Sequence, residues 1–177
     1  MTEPRTAIAL LLEEAAPELA AVRAELDPAN AARWPFHLTL LHPFVPRREL
    51  DEARVATLVA FCRDRPRLSF DLVGVEVFPG VVAYAAPAPA EPLRQIMREL
   101  WARFPETPPY GGAFTEPIPH ATLCRLEGSD DGTRLAEIQA SVEHLLPVSC
   151  KLDAVSLMEE YEPDRWRQLR ALPLEGS

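Results

Sequence analysis

Proline sets the strongest limit on what this chain can fold into. Nineteen prolines are scattered through 177 residues, against only seven glycines. Proline lacks a backbone N–H and fixes φ, so it breaks a helix interior or a central strand. The chain must therefore divide into short elements, with prolines as the punctuation of its loops. Proline and glycine together stay near 15%, below the roughly 25–30% that marks low complexity. With 47% hydrophobic and 25% charged residues, the composition is that of an ordinary globular protein. At roughly 150 residues per domain, the length fits one domain or two small lobes sharing a core.

Between the breakers, helical and strand periods alternate. Residues 6–13, 36–44, 67–78, 81–86, 120–127, 148–158 and 165–172 read as strands. Residues 15–26, 46–64, 90–104 and 131–146 read as helices. The 90–104 helix is the clearest, with Leu93, Ile96, Met97, Leu100, Trp101 and Phe104 at the 3.6 period and expected in the core. Pro79-Gly80 is a turn, and 105–118 is a long loop of the sort that often carries function. The pattern is mixed α+β, with antiparallel pairing suggested over 67–86 and 148–172.

One short pattern occurs twice. His37-Leu38-Thr39 and His120-Ala121-Thr122 lie 83 residues apart, close to half the chain, each on a proline-containing approach to an apolar strand. In a strand, residues i and i+2 share a face, so each motif presents an imidazole beside a hydroxyl. Two such pairs across a cleft suit a phosphodiester. One neutral histidine takes a proton from the nucleophile, while a protonated one gives a proton to the leaving oxygen. Histidine's unperturbed pKa of ~6.5 lets both forms exist near neutrality. The threonine hydroxyls can donate to the non-bridging oxygens as their charge grows.

Other residues carry weaker signals. Arg125, three residues after Thr122, and Arg33, before the first motif, are candidates for holding a phosphate, with a surface ion pair as the plainer reading. Tyr110, Phe114 and Tyr161 lie in or near loops and can stack on a base or simply pack. His42 is five residues from His37, so a regular strand turns it to the opposite face and it reads as a strand-end histidine. His144 reads as a surface residue, and Glu159, Glu160 and Glu162 as a solvated strand end. Cys62, Cys124 and Cys150 are odd in number and widely spaced, with no CxxC. That argues against a disulfide framework and fits a reducing cytoplasm. No GxSxG, P-loop or GxGxxG pattern occurs.

The net charge of −9 repels long nucleic acid and anionic membranes. No apolar run approaches the ~18 residues that span a bilayer, and none at the N-terminus has the form of a signal peptide. Only Lys151 is lysine among 18 basic residues; the others are arginine, the better fork for phosphate.

The segments PFHLTLLHPF (35–44) and IPHATLCR (118–125) resemble the two motifs of the two-histidine (2H) phosphoesterase superfamily. They are most similar to those of the bacterial 2′-5′ RNA ligase-like (LigT-like) cyclic phosphodiesterases. The order of elements and the closing DRWRQLRALPL (164–174) are similar too. The resemblance implies a bilobal α+β fold over 1–177, with two antiparallel sheets around a central groove, helices outside and one motif from each lobe. It implies His37 and His120 as the acid–base pair, Thr39 and Thr122 on the phosphate, and no metal or cofactor. It implies hydrolysis of 2′,3′-cyclic phosphates on RNA termini or small nucleotides, with 2′-5′ ligation as the reverse-type reaction. A monomer is expected. A binding module without turnover and a metal-dependent hydrolase are the alternatives.

Overall fold

A computed structural model describes residues 3–126 and 131–177. Eight strands form one hydrogen-bonded sheet, every neighbouring pair antiparallel, in the order β6-β3-β4-β5-β2-β1-β7-β8. In chain order the elements are β1 (Thr6–Leu11), α1 (Pro17–Leu26), α2 (Pro28–Ala31), β2 (His37–Leu41), α3 (Glu52–Arg63), β3 (Leu68–Phe78) and β4 (Val82–Ala88). They continue with α4 (Glu91–Arg103), β5 (Ala121–Arg125), α5 (Asp131–Val142), β6 (Val148–Leu152), β7 (Ala154–Glu162) and β8 (Arg165–Pro173). Among the described residues no helix is long and apolar enough to cross a membrane.

The expectation of two sheets is corrected to one. The order nevertheless splits at the β2–β5 seam into two four-stranded halves. This seam is paired at the single position Leu38↔Ala121. Every other junction has a ladder of at least four pairs, so the halves meet where the two motifs touch.

Alternation along the strands assigns the faces. In β2, Leu38 and Leu40 are buried while His37 and Thr39 are half-exposed; in β5, Ala121 and Leu123 are buried and Thr122 is half-exposed. The motifs thus turn their chemistry to one face and their apolar residues to the main core. β1 is buried on both faces because each is covered. Ile8 and Leu10 join the main core. Ala7 and Ala9 lie in a smaller cluster with Met158 and Trp166, against which Leu11 and Trp34 pack. Helices α1 and α4 contact the motif strands β5 and β2, respectively.

The elements depart from the sequence reading mainly at their ends. The strand expected over 36–44 stops at Leu41, before a cis His42–Pro43 peptide. The helix expected from residue 46 begins at Glu52, where Asp51 accepts the Arg54 N–H at 2.8 Å; a 3₁₀ turn at Arg47–Glu49 precedes it. The 148–158 segment divides at Asp153 into β6 and β7. The last helix ends at Val142, which leaves His144 beyond it and exposed. Glu127, at the end of the strand expected over 120–127, lies outside the described residues.

Candidate active site

The antiparallel register that pairs Leu38 with Ala121 also sets His37 opposite Thr122 and Thr39 opposite His120. Each imidazole therefore has a hydroxyl beside it on its own chain segment and another across the seam. All four side chains line one cavity of about 600 Å³. Residues distant in sequence converge because β2 and β5 are the innermost strands of their halves.

Both histidines are oriented in the same way. His37 Nδ1 lies 2.7 Å from the Pro35 carbonyl, and His120 Nδ1 lies 2.7 Å from the Ile118 carbonyl. A carbonyl only accepts, so each Nδ1 carries the proton and donates it. In the neutral rings this leaves Nε2 as the basic nitrogen, the atom free for proton transfer.

The rings' surroundings differ. Trp34 stacks on His37, with centroids 4.3 Å apart and planes at 26°, and stacks on Trp166 at 4.2 Å with its other side. Around His120 the contacts are edgewise, with Phe78 at 5.1 Å and 87° and Tyr84 at 5.4 Å and 61°. The Tyr84 hydroxyl donates to Glu76 at 2.9 Å.

Burial pushes the His37 imidazole down to about 3, against the pull of the Pro35 carbonyl; positive charge on Arg23, His120 and His42 lowers it further. Burial also lowers His120, opposed by the Ile118 carbonyl. Both rings are neutral at pH 7 in the absence of an anion. An anion placed between two such rings would favour protonating one of them.

The cavity mouth is apolar. Among the described residues six large hydrophobics are exposed, and Val81, Tyr110, Phe114 and Ile118 of these line this cavity. Tyr110 and Phe114 meet edge to face at 5.3 Å. Tyr110 is anchored by its backbone N–H, which donates to the His42 carbonyl at 2.7 Å, so the 105–118 loop docks on the end of β2. Its hydroxyl reaches the Thr39 side chain, and burial raises its pKa against that hydrogen bond.

Arg125 reaches the cavity rim. Its backbone N–H and Nε donate to Asp27 at 3.0 and 3.3 Å. Arg33 is not brought in. It is exposed, absent from the cavity lining, and tied to the fold through its carbonyl, which accepts from the Trp166 N–H at 2.8 Å. Tyr161 also stays outside, its ring 5.1 Å from the Arg167 guanidinium.

The structure corrects several sequence readings. His42 lines the same cavity as His37, because β2 has already ended and strand alternation no longer applies. Burial pushes its ring down to about 4, with Arg5 lowering it further and Glu160 opposing. Trp101 is half-buried at the cavity wall, with Nε1 donating to the Leu40 carbonyl at 2.8 Å; Phe104 is in the core as expected. Glu159 and Glu160 are buried and ion-paired, Glu159 with Arg47 and Arg167 and Glu160 with Arg5. Sequence reasoning also missed Trp34 and Phe78, although Trp34 adjoins the first approach proline. Among the described residues no group of three or more His, Cys, Asp or Glu side chains gathers as a metal-ligand set.

These features define a class: an antiparallel α+β protein with two His-x-Thr pairs converging on one cavity. Residues 11–164 match the 2′-5′ RNA ligase superfamily. The chain belongs to that superfamily, in the two-histidine, LigT-like family that its motifs resemble, and its function is of the two-histidine phosphoesterase type. Among solved structures it is similar to TT0787 of Thermus thermophilus, with 22% identity, a TM-score of 0.68, and 98% of this chain and 99% of that one covered. It is also similar to E. coli LigT complexed with 3′-AMP, with 20% identity, a TM-score of 0.60 and the same coverage. The NADP+ complex of LigT gives 20% identity and a TM-score of 0.59, again over 98% and 99% of the two chains. At these identities the likeness concerns the fold. A search of curated proteins gave no match.

Proposed function

We propose that the protein is a metal-independent phosphodiesterase that hydrolyses 2′,3′-cyclic phosphates on small nucleotides or at RNA ends. The observation that carries this reading is the Leu38↔Ala121 pairing, which sets the two His-x-Thr motifs antiparallel to one another. The cyclic phosphate lies between the two imidazoles. One Nε2 accepts a proton from water as its oxygen bonds to phosphorus. The other Nε2–H protonates the ribose oxygen as its bond to phosphorus breaks. Thr39 and Thr122 donate to the non-bridging oxygens, where negative charge develops.

The apolar mouth suits a nucleobase, with Tyr110 and Phe114 as stacking surfaces. Arg125, at the rim, is suited to a substrate phosphate. LigT has been crystallised with 3′-AMP, ATP and NADP+, which supports a small nucleotide as the ligand class here. A net charge of −9 disfavours a long nucleic acid track. We read residues 1–177 as one unit, each half supplying one motif, that acts as a cytoplasmic monomer. The three free, buried cysteines fit that compartment.

The test is hydrolysis of a nucleoside 2′,3′-cyclic phosphate by the wild-type chain, with and without chelator. Turnover that survives chelation supports the reading, and activity abolished by chelator and restored by metal replaces it with the metal-dependent alternative. Tight nucleotide binding without any product favours a binding module instead.

A further inference from the structure

Trp34 differs from Tyr110 and Phe114, the exposed rings of the cavity mouth, because both of its faces are already taken. His37 stacks on one face, and Trp166 stacks on the other with planes at 22°. A ring that is to stack on a nucleobase needs an open face. Trp34 lines the cavity yet has no face to give, so base stacking does not explain it.

The column continues behind it. The Arg5 guanidinium lies 5.4 Å from the Trp166 ring centroid and is itself bonded to the buried Glu160 at 2.8 and 2.9 Å. The backbone fixes the two tryptophans as well. The Trp34 N–H donates to the Asn30 carbonyl at 3.1 Å, and its carbonyl accepts from Arg23 Nη1 at 2.9 Å. The Trp166 N–H donates to the Arg33 carbonyl at 2.8 Å. Trp34 is therefore held by α1, α2 and β8, independently of the histidine that it covers.

The two motif rings are restrained by different contacts. His120 meets two aromatic rings, Phe78 and Tyr84, whereas among the described residues Trp34 is the one aromatic ring against His37. The Pro35 carbonyl fixes a single atom of His37, its Nδ1; the plane of the ring is set by what lies against its face. We propose that Trp34 is a positioning residue, with Trp166 as its support: the stacked pair sets the plane of the His37 imidazole and so the direction in which Nε2 points into the cavity. The kinetic consequence rests on the hydrolytic reading above; the geometric claim does not.

The experiment pairs two readouts on the full chain: side-chain ¹⁵N NMR of the histidine tautomers, and steady-state kinetics on a nucleoside 2′,3′-cyclic phosphate. Trp34→Leu should lower kcat by about 10²-fold, the cost of misplacing a reacting group by about 1 Å, with KM nearly unchanged. In the same variant His37 should pass from a single Nδ1–H tautomer to an average of both, while His120 stays as it was. Trp34→Phe restores a flat face and should recover most of kcat and the single tautomer. Trp166→Leu, at a residue buried behind the cavity wall, should move His37 in the same direction by less. A raised KM with unchanged kcat in Trp34→Leu makes Trp34 a substrate contact and overturns the proposal. So does an unmoved His37 tautomer in Trp34→Leu, or a loss of kcat in Trp34→Phe equal to that in Trp34→Leu. If Trp34→Leu does not fold, the wild-type and Trp34→Phe spectra decide: a single His37 tautomer in both is the expected result, and averaging in either overturns it. A chain with no hydrolytic activity in which Trp34→Leu still moves the His37 tautomer keeps the geometric claim and rejects the hydrolytic reading.

Discussion

The β2 and β5 motifs are alike where the chemistry is local and unlike where it depends on surroundings. In both, Nδ1 meets the carbonyl two residues upstream at 2.7 Å, and a threonine follows the histidine by two. His37 begins its strand, covered on one face by the Trp34 ring, which itself stacks on Trp166. His120 stands just before its strand, among the ring edges of Phe78 and Tyr84. Backbone spacing alone reproduces the shared part. The unshared part comes from the Trp34–Trp166 stack on one side and the β3–β4 hairpin residues Phe78 and Tyr84 on the other. Two copies of a motif therefore do not make two equivalent acids and bases.

The largest effect expected is from removing either ring. His37→Ala and His120→Ala should each lower kcat on a 2′,3′-cyclic nucleotide by about 10²–10⁴-fold. An unaffected rate in one of them would break the pairing across the seam. Thr39→Val and Thr122→Val come next, at about 10²-fold each for loss of one donor to the developing charge. A loss in KM alone would mean that the hydroxyls bind the ground state only.

A smaller effect is expected at the mouth. Phe114→Ala should weaken nucleotide binding by about 1–3 kcal/mol, with little preference among bases. Arg33→Ala, outside the cavity, should leave both kcat and KM as they are. Calorimetry and steady-state kinetics on the two variants separate these outcomes.

The pH dependence of stability sharpens the contrast between buried and ordinary histidines. Native His37 stays neutral down to about 3 and native His42 down to about 4, whereas unfolded histidines protonate near ~6.5. Between those limits the unfolded state binds more protons, so stability falls as pH falls from ~6.5 towards 4. Glu160, held at about 2 by Arg5, adds its own loss only below the ordinary carboxylate range of ~4. Melting temperatures between pH 7 and 5 therefore isolate the imidazoles. The slope should be shallower in His42→Phe, and an unchanged slope there would show that this ring is not held neutral.

The strands and helices were legible from local pattern. The 3.6 period of Leu93, Ile96, Met97 and Leu100 gave α4 to within a residue or two, and Pro79-Gly80 marked the β3–β4 turn, where Gly80 has φ of +71°. The reading failed where local pattern has no purchase. Strand alternation sent His42 away from His37, but β2 stops one residue short of it. Glu159 and Glu160 looked solvated because their arginine partners stand on other segments: Arg5 and Arg47 far away in sequence, and Arg167 across the β7–β8 hairpin.

What the amino-acid order determined by itself is the pairing of groups two residues apart. Strand geometry puts His37 with Thr39, and His120 with Thr122, on one face whatever lies around them. Only the tertiary structure decided that these pairs share one sheet rather than two, and that a single residue pair joins them antiparallel. It also decided that Trp34, His42 and Tyr110 belong to the cavity while Arg33 does not. The physical reason is range. Side-chain direction follows from adjacent peptide units, whereas strand order and the burial of a charge depend on packing between segments that the chain keeps far apart.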